Sequence, residues 1–215
     1  MNDFPNPIYL ITIIALLSLI PFIAVMATSF VKLSVVFSLL RNALGIQQIP
    51  PNMAVHGLCI ILSCFIMAPV GLKIFDILDK EKITLSNKDS MKKAVSKGLT
   101  PYYEFLKKHS SDSQREFFKQ HAKETWPESH KEDLESDSLF ILLPAFTVSE
   151  LTSAFKIGFL LYLPFVAIDL IVSNILLAMG MMMVSPMTIS LPFKILLFVL
   201  LDGWTKLIQN LILSY

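Results

Sequence analysis

Residues 157–184 have the sequence IGFLLYLPFVAIDLIVSNILLAMGMMMV, an apolar run interrupted by one acid and one proline. A membrane-spanning helix needs roughly 20 consecutive apolar residues, so this run is long enough to cross a bilayer. Three more apolar runs lie elsewhere in the chain: 8–31 with its continuation 33–40, 53–72, and 187–201. The runs predict an all-α membrane protein with four hydrophobic helical segments, the second of them broken near Pro69.

The composition of the whole chain agrees with this class. Of the 215 residues, 54% are hydrophobic and 16% are charged, and the mean hydropathy is +0.63. A soluble domain carries about 25% charged residues, so a soluble domain, a disordered chain and a coiled coil are all excluded. The net charge of +1 gives no long-range field that would recruit nucleic acid. Two cysteines are too few for a disulfide scaffold.

The charged residues are concentrated in one segment. Of the 35 charged residues, 26 lie between positions 73 and 137, and only nine are spread over the rest of the chain. This distribution divides the chain into an N-terminal hydrophobic helical block (1–72), a polar helical insert (73–138) and a C-terminal hydrophobic helical block (139–215).

Short helices are expected within the polar insert. Thr100 followed by Pro101 is typical of a helix start, because a proline at the first helical position loses no hydrogen bond. Ser113 and Glu116 fit a capping box for a second helix, and Trp126-Pro127 marks its end. The insert has too few apolar residues for a core of its own, so we expect it to lean on the membrane block or on neighbouring subunits.

Two of the four runs fit a straight membrane span poorly. The first is too long when Lys32 is included, and the fourth is short and contains Pro192 and Lys194. Broken helices at membrane depth are tolerated only where protein or a cavity surrounds them. We therefore expect helices that pack in an assembly, with lipid covering only part of their surface.

The few charges near the first run bear on topology. Asp3 and the absence of early lysine or arginine do not fit a signal peptide, so we expect the first run to be retained. The short loop after this run carries Arg41 and no acid, which places it in the cytoplasm by the positive-inside rule. The polar insert and both termini would then lie on the opposite, periplasmic side.

No constellation typical of catalysis or metal binding is visible in the sequence. The histidines lack the spacing of zinc ligands and are expected in packing or solvent positions: His56, His109, His121 and His130. Cys59 and Cys64 would lie about 140° apart on a helix, and we interpret both as small buried hydrophobic residues. Phosphate-binding, dinucleotide-binding and nucleophile-elbow motifs are missing. We therefore predict no catalytic residue, no metal and no cofactor.

Five ionisable residues lie within or beside the apolar runs: Lys32, Glu150, Lys156, Asp169 and Lys194. Each would be costly facing lipid, and such residues usually pair, line a water path or mark a functional site. The alternative is that each side chain extends to the headgroups. We favour burial and pairing because several of them lie away from the run ends. The preferred pair is Glu150 with Lys194, either within one chain or between subunits.

Residues 178–187, AMGMMMVSPM, contain the consecutive methionines Met181, Met182 and Met183. Successive helical residues point about 100° apart, so the three either surround a buried helix or belong to an unwound segment. Gly180 and Pro186 on either side favour unwinding. In a symmetric oligomer such a loop would form a soft apolar collar, and apolar constrictions close pores by dewetting. On residue type alone, ordinary core methionines are the commoner alternative.

A series of short strings follows in a fixed order outside the insert. They are RNALG at 41–45 with QQ at 47–48 and PPN at 50–52, then LPAF at 143–146, SEL at 149–151, AFKIG at 154–158, YLPF at 162–165, DL at 169–170, MMM at 181–183, SP at 185–186, LPFK at 191–194 and DGW at 202–204. In this order the strings resemble the SctR/FliP family, and their wording is most similar to its YscR-like branch from virulence systems. The resemblance covers nearly the whole chain outside the insert.

The resemblance implies a core subunit of the export apparatus of a type III secretion system, without enzymatic activity. It implies a homopentamer of helical hairpins that assembles with SctS-like and SctT-like subunits and works with SctU-like and SctV-like components. The assembly would form the export gate in the bacterial inner membrane, project toward the periplasm and conduct unfolded secreted proteins.

The resemblance also assigns roles to particular residues. It implies that Met181, Met182 and Met183 form a methionine gasket that seals the pore, and that Glu150 and Lys194 are charged positions at subunit contacts. It thus favours the collar over ordinary core methionines. Two alternatives from other classes are a small-solute or proton transporter that uses Asp169 and Glu150, and a membrane enzyme. The lack of a nucleophile with its base or of a metal set argues against the enzyme.

Overall fold

The computed structural model describes residues 11, 14–15, 17–18, 22, 25–46, 49–80, 97–127 and 138–215. Within these ranges the chain is helical and contains no strand, which confirms the predicted all-α class. The helices with defined bounds are α1 (Phe30–Leu44), α2 (Asn52–Lys80), α3 (Thr100–His109), α4 (Asp112–Thr125), α5 (Leu139–Ala178), α6 (Pro186–Leu200) and α7 (Gly203–Leu213).

The first apolar run is interrupted at residues 27–29, and α1 begins after the interruption. The Ser29 side chain is buried there, and its hydroxyl lies 3.0 Å from that of Ser63 on α2. Helix α1 ends at Gly45, whose φ of +79° lies in the left-handed region that glycine adopts at little cost. Most of the residues upstream of 25, including the start of the first run, lie outside the described residues.

Helix α2 continues through Pro69 to Lys80, so the predicted break near this proline is wrong. A proline inside a helix removes one backbone hydrogen bond and bends the axis. The apolar residues on both sides still favour the helix, because an unpaired backbone is costly away from water. The segment 73–80, which we assigned to the polar insert, is the last part of this helix.

Helix α5 begins at Leu139, well before the apolar run that opens at residue 157, and it contains 40 residues. At 1.5 Å per residue its length is about 60 Å, twice the roughly 30 Å of a bilayer core. By length and composition α2 and α5 can each cross a membrane, and α6 with α7, which meet at 60°, form a third candidate. Over the described residues this gives two or three spans where four segments were predicted.

The main core lies where α1 crosses α5. Leu33, Phe37 and Leu40 of α1 are fully buried, and Ala154 of α5 is buried in the same cluster. Helices α6 and α7 complete this core through Phe198, Leu207 and Leu211. Because α5 and α6 are joined by a short loop and pack against each other, they form a helical hairpin whose tip is the segment 179–185.

The polar insert packs against the first half of α5. Phe105 and Leu106 of α3 are buried together with Leu142 and Phe146 of α5, and Ala122 of α4 is buried beside α5 as well. The described part of the insert therefore leans on the membrane block, as expected from its small number of apolar residues.

The ends of the insert helices test the local predictions. Helix α3 begins at Thr100 with Pro101 in its first turn, and α4 ends at Thr125, so both of these predictions are confirmed. The capping box at Ser113 is wrong, because α4 already begins at Asp112. Ser111 is extended and precedes the helix, and the Asp112 carboxylate lies in the first turn, where the helix dipole favours a negative charge.

Candidate functional site: a methionine loop and two ion pairs

The methionine run lies in a loop at the tip of the α5–α6 hairpin. Residues 179–185 are not helical, so the structure adopts the unwound alternative. Gly180 has a φ of +76°, and the backbone N–H of Met181 donates to the carbonyl oxygen of Leu176 at 2.9 Å, which ends α5. Pro186 occupies the first turn of α6. The glycine and the proline therefore bound the loop from both sides.

The three methionine side chains face outward in the single chain. Met181 is 42% exposed, Met182 is 81% exposed and Met183 is 99% exposed. Such exposure excludes ordinary core packing of these residues within one chain. A contiguous apolar tip of this kind is typical of a surface that another molecule or another subunit covers, and flexible thioether side chains can deform around different shapes.

One ion pair on the α5–α6 hairpin joins three helices, and its acid is only partly buried, with the Asp169 side chain 31% exposed. The Nζ atom of Lys194 on α6 lies 2.5 Å from an Asp169 carboxylate oxygen on α5 and 3.2 Å from the Ala43 carbonyl oxygen of α1. The Ser190 hydroxyl donates to the other oxygen of Asp169. The lysine side chain is only 4% exposed, so its charge depends on these acceptors.

A second ion pair lies near the polar insert. The Lys32 ammonium on α1 lies 3.3 Å from one Glu150 oxygen on α5, and the two side chains are 4% and 3% exposed. Tyr215 follows α7, and its hydroxyl donates to the other Glu150 oxygen. The Lys32 nitrogen also lies 4.1 Å from the centroid of the Tyr215 ring. Both oxygens of the carboxylate are thus occupied.

The predicted pair of Glu150 with Lys194 is not formed within the chain. Glu150 lies 19 residues before Asp169 on α5, a distance of about 28 Å along the helix. Lys194 reaches Asp169, and Lys32 reaches Glu150, because each lysine lies at the level of its own acid. A contact between Glu150 and Lys194 of two subunits stays a prediction.

Lys156 does not fit the prediction of a buried charge, since it is exposed in the single chain. Glu150, Ala154 and Gly158 are four residues apart and share the buried face of α5. Lys156 lies two residues from Ala154, so it points about 200° away from that face. The pattern of small residues after Glu150 was the available signal that this face meets another helix closely. No feature of the sequence predicted that Tyr215 would contact Glu150 and Lys32.

The cysteines differ in exposure. Cys59 is fully buried as predicted, but Cys64 is exposed in the single chain. Their angular separation of about 140° on α2 places them on different faces.

Among the histidines, His109 lies in a cluster of aromatic rings. His109 on α3 packs against two aromatic rings in tilted arrangements, with centroids 4.8 Å from Phe105 and 4.9 Å from Tyr215. Burial, together with the nearby charges of Lys108 and Lys32, lowers the pKa of His109 to about 4, so its ring is neutral at pH 7. His130 lies outside the described residues, within which no group of three metal-ligating side chains occurs.

Comparisons with known proteins relate the whole chain to one family. The model of the FliP family matches residues 13–211. Yop proteins translocation protein R of Yersinia pestis is 63% identical over 215 residues, covering 100% of this chain and 99% of the relative. Virulence protein YscR of Salmonella typhimurium is 54% identical, covering 98% and 97% of the two chains. Hypersensitivity response secretion protein HrcR of Ralstonia nicotianae is 43% identical, with 96% of each chain covered.

Proposed function

This chain belongs to the FliP family, and from this premise we propose that it is a core subunit of the export gate of a type III secretion system. In this proposal it acts in the bacterial inner membrane and conducts unfolded proteins. It has no catalytic activity, and energy comes from other components. The printed names of its relatives, which include a translocation protein, a virulence protein and a secretion protein, support this assignment.

The observation that carries the proposal is the exposed methionine loop at the tip of the α5–α6 hairpin. Copies of the chain arranged around an axis would bring their loops together, so that Met181, Met182 and Met183 line the narrowest part of the pore. Flexible apolar side chains are suited to this position, because they exclude water at rest and yield to a passing chain. Gly180 and Pro186 give the loop its shape.

The rest of the exposed apolar surface is assigned to neighbouring subunits. On α5, for example, Phe155, Phe159 and Leu170 are all mostly exposed. The helix that carries them is about twice as long as a bilayer core is thick. The lipid core alone cannot cover a helix of this length. We assign the remaining surface to four other copies in a pentamer, and to SctS-like, SctT-like, SctU-like and SctV-like subunits. The assembly would project toward the periplasm.

Glu150 and Lys194 are proposed to contribute to the contacts between copies. In the single chain each is held by a residue of its own chain, Lys32 and Asp169 respectively. A contact between Glu150 and Lys194 across a subunit boundary would therefore exchange or share these intrachain partners.

Replacing Met181, Met182 and Met183 together by alanine tests the collar. Alanine removes the three outer heavy atoms of each side chain, so the constriction widens and its dry segment shortens. We expect the assembled complex in lipid vesicles to change from tight to leaky for small ions, measured as dye-reported flux without substrate. Replacement of all three by leucine, which nearly conserves volume, should keep the vesicles tight.

Met53→Ala is a matched control, since this methionine is 86% exposed but lies at the start of α2, outside the loop. It should not cause a leak. An alanine triple variant that assembles fully and stays tight would contradict the gasket. A transporter that uses Asp169 and Glu150 predicts instead a flux that disappears when these acids are replaced. No observation on the described residues favours that alternative, because a lysine already pairs with each acid.

A further inference from the structure

Tyr215 touches both the polar insert and the buried Lys32–Glu150 pair. Toward α1 and α5, its hydroxyl donates to Glu150 and its ring lies 4.1 Å from the Lys32 ammonium. On the insert side, the Lys108 ammonium donates to its backbone carbonyl oxygen at 2.6 Å. One residue therefore contacts charged groups from α1, α3 and α5.

Aromatic contacts strengthen the connection to α3. The Phe105 ring is stacked on the Tyr215 ring with centroids 6.1 Å apart, and the two planes differ by only 10°. His109 adds a second ring at 4.9 Å. Because the His109 ring is neutral at pH 7, it packs there without placing a third positive charge beside Lys32 and Lys108.

We propose that Tyr215 couples the docking of α3 to the buried Lys32–Glu150 pair, so that insert and ion pair open and close as one cooperative unit. The docking of α3 is weakened when the ion pair is lost, and the ion pair is weakened when α3 moves away. If α3 separates from α5, the Tyr215 ring loses its stacking on Phe105 and its hydroxyl is less well held on Glu150. If the ion pair is removed, the ring loses both its cation and its acceptor. This inference does not depend on the proposed transport function.

The molecule also provides a contact that bypasses Tyr215. The backbone N–H of Ser111, just after α3, donates directly to the Ser149 hydroxyl on α5 at 2.9 Å. This hydrogen bond fixes the insert without involving the ion pair. It therefore supplies an internal standard, because neither partner is Lys32, Glu150 or Tyr215 and the Ser149 side chain points about 100° away from that of Glu150 on the helix.

Hydrogen exchange of the α3 amides in the detergent-solubilised full chain tests the proposal. Tyr215→Phe keeps the ring and removes only the hydroxyl, so the variant should fold. Hydrogen bonds to charged groups are among the stronger ones in proteins, and we expect exchange in α3 to accelerate about tenfold. In a chain that carries Lys32→Met with Glu150→Leu, Tyr215→Phe should cause no further acceleration, because the acceptor and the cation are already gone.

Two controls separate coupling from general loosening. Ser149→Ala should accelerate α3 exchange by the same factor in both backgrounds. Lys194→Met with Asp169→Leu, which removes the other ion pair, should leave α3 exchange unchanged. The proposal is overturned if Tyr215→Phe leaves α3 exchange unchanged in the natural background. It is equally overturned if Tyr215→Phe accelerates exchange by the same factor in both backgrounds, or if loss of the Lys194–Asp169 pair loosens α3 as strongly as loss of the Lys32–Glu150 pair.

Discussion

Replacement of Glu150 by leucine is expected to destabilise the folded chain by about 3–5 kcal/mol, the typical cost of leaving a buried charge without its counter-ion. The Lys32 side chain is 4% exposed and would lose its carboxylate. The Tyr215 hydroxyl would lose its acceptor as well. The expected readout is a much lower yield of monodisperse protein in mild detergent and a lower unfolding temperature for the part that is recovered.

A second substitution identifies the lysine that pairs with Glu150. Adding Lys32→Met to Glu150→Leu replaces the ion pair by apolar side chains of similar volume, an exchange that is often nearly neutral, and should restore most of the stability. Lys156→Met is the matched control, since this lysine lies on the exposed face of α5, and it should change stability little. Rescue of Glu150→Leu by replacing Lys194 and not Lys32 would contradict the intrachain pair and favour a pair between subunits.

Replacement of Gly158 by leucine is expected to prevent the close packing of α1 on α5. A Cβ atom at position 158 would lie 3.1 Å from the Leu39 Cβ and 3.2 Å from its Cγ, and nearer still to Cδ1. The whole leucine side chain therefore cannot fit unless the helices separate. Overpacking of a core costs about 1–3 kcal/mol and sometimes more, and separation of α1 would also expose the main core cluster. We expect little folded protein by size-exclusion chromatography in detergent.

A milder change at this position has a specific rescue. Gly158→Ala should destabilise the chain, and Leu39→Ala in the same chain should recover part of the loss by making room for the new Cβ. Gly71→Ala on α2 is the matched control, because nothing lies within 4 Å of its added Cβ. Alanine is favoured over glycine in a helix by about 1 kcal/mol, so the control should be neutral or stabilising. A stable Gly158→Leu chain would contradict the close approach.

The sequence predicted the helical class and favoured an unwound segment at the methionine run, because both depend on local rules. Continuous apolar runs without strand-like alternation require helices in a membrane. The loop depends on Gly180, which tolerates a positive φ, and on Pro186, which favours the first turn of a helix. Both effects act over a few residues and need no knowledge of the tertiary structure.

The partners of the buried charges could not be predicted in the same way. The pairing of Glu150 with Lys32 depends on where α1 crosses α5, and this crossing is set by the small residues Ala154 and Gly158 together with the shape of Leu39. The residues are visible in the sequence, but the relative register of α1 and α5 is not, because the paired residues Lys32 and Glu150 lie 118 positions apart. The contact of Tyr215 with Glu150 depends on that same packing.

The extent of the helices was also only partly predictable. Helix α2 passes through Pro69 because the apolar residues on both sides favour the helix away from water, and α5 begins at Leu139 because α3 and α4 pack against its first half. Hydropathy marks the apolar centre of such helices, but their ends extend into the polar segment. The boundary drawn between residues 72 and 73 therefore fell inside α2, whereas the one between 138 and 139 coincides with the start of α5.

In the proposed assembly this chain works as one of several copies, and neighbouring copies cover the apolar surface left exposed on each. The most direct test is the mass of the intact complex extracted in mild detergent from cells that also produce the SctS-like and SctT-like subunits. We expect one particle that contains five copies of this chain together with those subunits. Recovery of the chain as a stable, fully folded monomer, with no higher species that contains those subunits, would contradict it.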